Sequence, residues 1–187
     1  LSSVSITPTL TNAASVTVNF TCSSSYAVVK LYKSRNGEPY VYTTLSASGL
    51  TGGFTYNFPV SEDGTYNFYS IAELGSVKIE AAPGSADDGL VVDRQAPVVQ
   101  SVTDDGAYTS SSAALNAAIT ATEQGPSGIA GYEYAIGTAA YPTAGWNTVR
   151  AWTADADGVI AATGLALAQG TLYYITGRAT DNATNPA

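Results

Sequence analysis

The side chains best able to do chemistry are carboxylates set in pairs: Asp87 with Asp88, Asp104 with Asp105, and Asp155 with Asp157. Two carboxyl groups at short range are what acid–base or glycosidase chemistry needs, one of them held protonated by a cleft that raises its pKa. Each pair stands beside a glycine, in Asp-Asp-Gly-Leu, Asp-Asp-Gly-Ala and Asp-Ala-Asp-Gly. Turns select Asp and Gly on backbone grounds alone, so solvated turns are favoured over catalysis. The chain contains no His, which removes Ser-His-Asp and Cys-His nucleophilic catalysis. The expectation is a protein that is not an enzyme.

The same oxygens suit calcium, which takes several carboxylate and carbonyl ligands at short range. Asp155-Ala156-Asp157-Gly158 is a fragment of a calcium loop with no later Glu to complete it, and Asp93 lies at a predicted joint between domains. Asp155, Asp157 and Asp93 are therefore the candidate calcium ligands, with structural turns the favoured alternative, and no other cofactor is expected. Cys22 is the single cysteine. With no second Cys and no His, a zinc site of the Cys/His type cannot form. The sequence holds 13 Tyr and 2 Trp. Tyr132, Tyr134, Trp146 and Trp152 could stack sugars, although on a sandwich fold such rings more often fill the core. Asn19-Phe20-Thr21 and Asn182-Ala183-Thr184 fit the N-glycosylation pattern, making Asn19 and Asn182 acceptors in a glycosylating host.

These residues must be positioned by β-structure. The 187 residues are 45% hydrophobic and only 12% charged, the latter against roughly 25% in an ordinary soluble domain. Hydroxyl and amide side chains supply the polarity, as in exported β-rich proteins. The net charge of −8 repels nucleic acid and anionic lipid, since phosphate binding needs clustered Lys and Arg. Lys30, Lys33 and Arg35 form the one basic cluster, read as a strand and its turn. No apolar run reaches the ~18 residues of a membrane span.

Apolar residues recur at period two, with turn signals every eight to twelve positions. Val16, Val18, Phe20 and Cys22 alternate with Ser15, Thr17, Asn19 and Thr21, a half-buried strand. Asn36-Gly37 marks a hairpin. Ala113 to Thr122 is alanine-rich but alternates, and reads as a strand. A boundary falls at Asp93-Arg94-Gln95-Ala96-Pro97, where Pro97 stiffens a short joint, giving domains 1–96 and 97–187. Asp63-Gly64-Thr65-Tyr66 and Gln169-Gly170-Thr171-Leu172-Tyr173 repeat one pattern, a Gly turn leading a Tyr-headed strand. That is the tyrosine corner of sandwich strand F. Tyr66 and Tyr173 are expected at equivalent corners.

Residues 1–96 resemble bacterial Ig-like repeats of large surface and secreted proteins, through Val29-Lys30-Leu31-Tyr32-Lys33, Asn36-Gly37, Asp63 to Ala72, and Val92-Asp93 with Ala96-Pro97. Residues 97–187 resemble fibronectin type III-like repeats, through Ser127 to Thr138, Trp152-Thr153, and Gly170-Thr171 with Tyr173-Tyr174. The resemblance implies an all-β chain of two tandem antiparallel β-sandwiches. Departures exist: Glu73-Leu74-Gly75-Ser76 replaces the usual Asp-x-Ala-Gly-Asn hairpin, and the second domain keeps only Asp181-Asn182-Ala183-Thr184-Asn185. Cys22 holds the position of the first antibody-type cysteine, but Phe68 stands where its partner would be, so packing must replace the disulfide. Gly89 to Asp93 reads as strand G of the first domain. Only Thr180 to Ala187 follow Ala179, so the second domain is read as lacking that strand, through fragmentation or because another chain supplies it. Leu1 to Thr7 is the candidate donor.

The resemblance implies a structural and adhesive module, a rigid spacer in a larger secreted or cell-surface protein, with an extracellular location. A protomer of a filament or surface layer using strand exchange and a carbohydrate-binding module are the alternatives. Partners are protein neighbours in the same polypeptide or assembly, with carbohydrate as the other candidate.

Overall fold

A computed structural model describes residues 1–23, 27–48, 54–75, 77–78, 80–143 and 145–187. Ser76 of the atypical hairpin lies outside the described residues. The chain divides into two compact units, Leu1–Arg94 and Gln95–Ala187, two residues ahead of the boundary read from Pro97.

The first unit contains β1 (Ser2–Thr7), β2 (Leu10–Thr11), β3 (Ser15–Cys22), β4 (Val28–Arg35), β5 (Val41–Ser48), β6 (Phe54–Pro59), β7 (Gly64–Leu74), β8 (Val77–Lys78) and β9 (Asp88–Val92). One sheet has the order β1-β3-β6 and the other β2-β9-β7-β4-β5, with β8 against β7. Period two does the sorting. Val16, Val18, Phe20 and Cys22 of β3 turn inward with Val29 and Leu31 of β4 and Tyr66, Phe68 and Ala72 of β7, forming one closed core. The β4–β5 turn has Asn36 at φ 52° and Gly37 at φ 82°, the paired positive values of a type I′ hairpin. Leu1 to Thr7 is no free donor: β1 pairs with β3 of its own unit from Ser2↔Cys22 to Thr7↔Thr17. Its buried Val4 and Ile6 are the physical reason, since they complete the core.

The edge strand β5 carries an irregularity. Thr44 has φ 66°, uncommon for a β-branched residue, and the β4–β5 register shifts between Lys30 and Tyr32. Thr43 Oγ1 donates to Leu31 O at 3.0 Å and accepts from Leu45 N at 3.3 Å, filling the gap the bulge leaves.

The second unit contains β10 (Val98–Asp104), β11 (Leu115–Thr122), β12 (Ile129–Gly137), β13 (Thr148–Asp155), β14 (Val159–Ala162) and β15 (Tyr174–Asp181). The sheets run β10-β11-β14 and β13-β12-β15. Both units thus have the two-layer strand arrangement of immunoglobulin and fibronectin type III-like sandwiches. The second core gathers Ala117, Ile119, Tyr134, Ile136, Ile160, Ala162 and Leu165. Gly177 of β15 makes room for it: a Cβ there would meet Ile119 Cδ1 at 2.6 Å. Beyond β15 the chain turns back, with Asp181 N donating to Asn185 O, Ala187 N donating to Ala179 O at 2.8 Å, and a bridge between Thr180 and Pro186. The end of that edge is closed from within the unit. Among the described residues, Tyr174 to Arg178 pair with β12 alone.

Candidate functional site

The paired acids of the first unit meet main-chain amides across the sandwich. Asp87 Oδ2 accepts from Val4 N at 3.1 Å in one sheet and from Ser70 N at 3.0 Å in the other. Asp88 Oδ2 accepts from Ile6 N at 2.7 Å. Glu80 repeats the bridge, accepting from Ser2 N through both oxygens (3.1 and 3.0 Å) and from Ala72 N at 3.1 Å. Ser2 and Ser70 link the two acids, Oγ to Oγ at 3.0 Å. Strand amides that no neighbouring strand satisfies are thereby paired by side chains, as buried donors must be. The spacing in sequence suggested turns for Asp87 and Asp88. Their structural role is a seam between sheets.

The second unit uses its acids locally. Asp104 Oδ1 accepts from Gly106 N at 3.0 Å, and Asp105 Oδ2 from Asn116 Nδ2 at 2.7 Å. Asp155 Oδ1 accepts from Asp157 N at 3.2 Å and Gly158 N at 2.6 Å, and Asp157 Oδ1 from Val159 N at 3.0 Å. These oxygens are turned onto their own loop amides, and among the described residues no group of three acids forms around Asp155 and Asp157. Asp93 is fully buried and its N–H donates to Thr11 O at 2.9 Å. The sequence reading missed another pair: Glu123 and Asp181 bring carboxylate oxygens within 4.8 Å. Asp181 Oδ1 and Oδ2 accept from Asn185 N and Nδ2, both at 2.8 Å. Asp181 carried a signal as the head of its Asp-Asn-Ala-Thr-Asn turn, whereas Glu123 had none.

Aromatic rings gather on outer sheet faces. In the first unit Tyr42, Tyr32 and Tyr69 face one another across β5, β4 and β7, as the pairings Tyr32↔Tyr42 and Tyr32↔Tyr69 dictate. Tyr32 and Tyr69 stack at 5.1 Å between centroids, and Tyr40 tilts onto Tyr69 at 4.4 Å. Lys30 pairs with Glu73 at 2.6 Å and lies over the Tyr42 ring. The hydrogen bond to Glu73 holds the Lys30 ammonium above the ordinary lysine value. Burial pushes the Tyr69 phenol up, with Tyr32 and Tyr40 adding to the shift.

In the second unit Tyr134 joins the core and Tyr132 packs against it, but Trp146 and Trp152 do not belong to it. This corrects the reading of the tryptophans as core filler. β12 sends Tyr134 and Ile136 inward, so Glu133 and Gly137 occupy its outer face. Trp146 lies on bare Gly137 backbone, where a Cβ would meet the indole at 2.6 Å. Tyr141 meets Trp146 and Trp152 edge-on at 5.3 and 5.5 Å. Arg178 lies 4.4 Å over Trp152 and pairs with Glu133 at 2.6 Å.

Tyr66 is 2% exposed and its hydroxyl donates to Glu62 O at 2.8 Å. Tyr173 is only half-buried, against the second core, and its hydroxyl accepts from Ala168 N at 2.6 Å. The two corners are therefore alike in position and unlike in burial. Cys22 is buried and free, in the same core as Phe68. Asn19 Oδ1 accepts from Thr55 Oγ1. Asn182 Nδ2 donates to Ser127 O and Gly128 O at 2.8 and 3.1 Å, so a glycan there, which leaves the nitrogen a single N–H, would cost at least one of these bonds. Arg94 clamps the end of the first unit, through Asp63 Oδ1 at 2.6 Å, Ala13 O at 3.0 Å and Val60 O at 2.5 Å.

No protein-family model matches the chain, and no curated protein matches it. Among solved structures it is similar to the FN1–FN3 domains of chicken CNTN1, at 14% identity and a TM-score of 0.40, covering 98% of this chain and 63% of that one. It is also similar to a tetra-tandem repeat in the extending region of a large adhesion protein, at 15% identity and a TM-score of 0.39, covering 99% of this chain and 46% of that one. The chain thus spans less than two thirds of either structure.

Proposed function

We propose that the chain is a non-catalytic structural and adhesive module, a two-sandwich spacer within a larger extracellular or surface protein. The observation that carries this reading is the use made of the acids. The paired carboxylates that acid–base chemistry would need accept main-chain amides in seams and turns. A spacer must resist extension, and both the seam between sheets and the Arg94 clamp serve that end. Strand exchange through Leu1 to Thr7 is not favoured, since β1 is engaged in its own core.

Force spectroscopy on the chain held between handles tests the proposal. Two discrete unfolding steps are expected, since a unit such as Leu1–Arg94 extends to about 30 nm at roughly 3.3–3.6 Å per residue. Smooth lengthening at low force, with no discrete step, would refute a spacer role.

A further inference from the structure

We propose that the outer face of one sheet in each unit is a shallow binding site for a neutral polysaccharide. The starting point is recurrence. The strand that carries it is β4 in the first unit, between β7 and the edge strand β5, and β12 in the second, between β15 and the edge strand β13. Each sends a charged residue outward to pair with the neighbouring strand, Lys30 to Glu73 on β7 and Glu133 to Arg178 on β15, both at 2.6 Å. Beside each ion pair stands an aromatic cluster contributed by the strand on the other flank and the connection leading into it. In the first unit these are Tyr42 of β5 and Tyr40. In the second they are Trp152 of β13 with Tyr141 and Trp146. The charge order is reversed and the ring types differ, so no copied sequence motif accounts for the likeness.

Core packing does not account for the rings either. Among the described residues, Tyr32, Tyr40, Tyr42 and the Tyr141–Trp pair system belong to neither core cluster. Tyr40, Tyr42 and Tyr141 remain 37%, 38% and 47% exposed. Ring faces offer the apolar, weakly negative surface on which the C–H faces of pyranose rings stack, and phenol hydroxyls, guanidinium and carboxylate beside them bond sugar hydroxyls. The charges select neutral polymers. Each ion pair cancels its own charge, and the chain's net charge of −8 repels acidic glycans as it repels other polyanions. Flat, open faces also suit the interior of a polymer better than its end.

The test is affinity electrophoresis of the whole chain in gels containing β-1,3-glucan, mixed-linkage glucan, α-mannan or amylopectin, with alginate and heparin as acidic counterparts. Retardation by at least one neutral polymer is expected, and none by the acidic ones at about 0.15 M ionic strength, where weak surface attractions are screened. Tyr40→Ala with Tyr42→Ala, and separately Tyr141→Ala, should each weaken binding roughly tenfold, and the three together should abolish it. These side chains are exposed, and unchanged far-ultraviolet circular dichroism will show that each variant folds. The proposal is overturned if no neutral polymer retards the chain, or if the triple variant binds as before. It is also overturned if sedimentation reveals self-association that Tyr42→Ala removes, since the face would then bind a second copy. Because the spacer reading is judged by force, either proposal can fail while the other stands.

Discussion

Replacing Asp87 by Ala would unfasten the two sheets of the first sandwich at one point. Asp87 Oδ2 is the acceptor for Val4 N and Ser70 N, whose residues are 4% and 2% exposed. A buried donor stripped of its acceptor costs about 1–3 kcal/mol. Asp87 itself is exposed, so water can reach the vacated position and the low end applies to each amide, about 2–3 kcal/mol in all. With a urea m-value of ~1–2 kcal/mol/M for a domain of this size, the midpoint should fall by about 1–3 M. The molecule carries separate reporters for its two units. Cys22, its only cysteine and buried in the first core, reacts with a thiol reagent once that unit opens. Trp146 and Trp152, its only tryptophans, report by fluorescence on the second. Thiol reactivity should shift in Asp87→Ala while the fluorescence transition stays in place, and Asp87→Asn, which keeps one oxygen, should recover part of the loss. A thiol midpoint within ~0.3 M of the parent would show that the seam contributes nothing.

Tyr66→Phe leaves Glu62 O without its donor in a buried corner and should cost about 1 kcal/mol in the thiol assay. Tyr173→Phe, at a half-buried position, should shift the fluorescence transition by less. Arg94→Lys keeps the charge but not the fork that reaches Asp63, Ala13 and Val60 together, and a loss of about 1–2 kcal/mol is expected in the first unit alone. Burial favours the neutral Tyr69 phenol over its ordinary value of about 10. The stability this contributes is fully present below that value and is lost as pH rises through the higher folded one. A phenolate absorbance titration should lose a folded-state step above the ordinary tyrosine value in Tyr69→Phe, and an unchanged titration would contradict the burial.

Local signals in the sequence were reliable where the physics is local. Ser15 to Cys22 is read as one alternating strand and is one, because polar and apolar residues separate cleanly on its two faces. The Asn36-Gly37 hairpin and the Tyr66 corner likewise depend on neighbours a few residues away. Two things were hidden. On β7, Tyr66 and Phe68 alternate with Tyr69 and Ile71, so both faces are apolar, and periodicity cannot tell core from surface. The same ambiguity made Trp146 and Trp152 read as interior. Long-range acceptors were the other gap: Asp87 meets Val4 across 83 residues, while Gly89, two positions on, argues equally well for an ordinary turn.

The kink at Thr44 bears on how the molecule behaves in a crowd. A regular edge strand offers the same ladder of donors and acceptors to a stranger as to its own sheet, which is the route to fibres and precipitates. In β5 the positive φ at Thr44 breaks that ladder midway, and Thr43 turns its hydroxyl back to Leu31 instead of outward. The conformation costs on the order of 1–3 kcal/mol locally. What it confers is local and colloidal: a copy drawn up alongside β5 meets a broken ladder there and cannot zip onto that edge residue by residue.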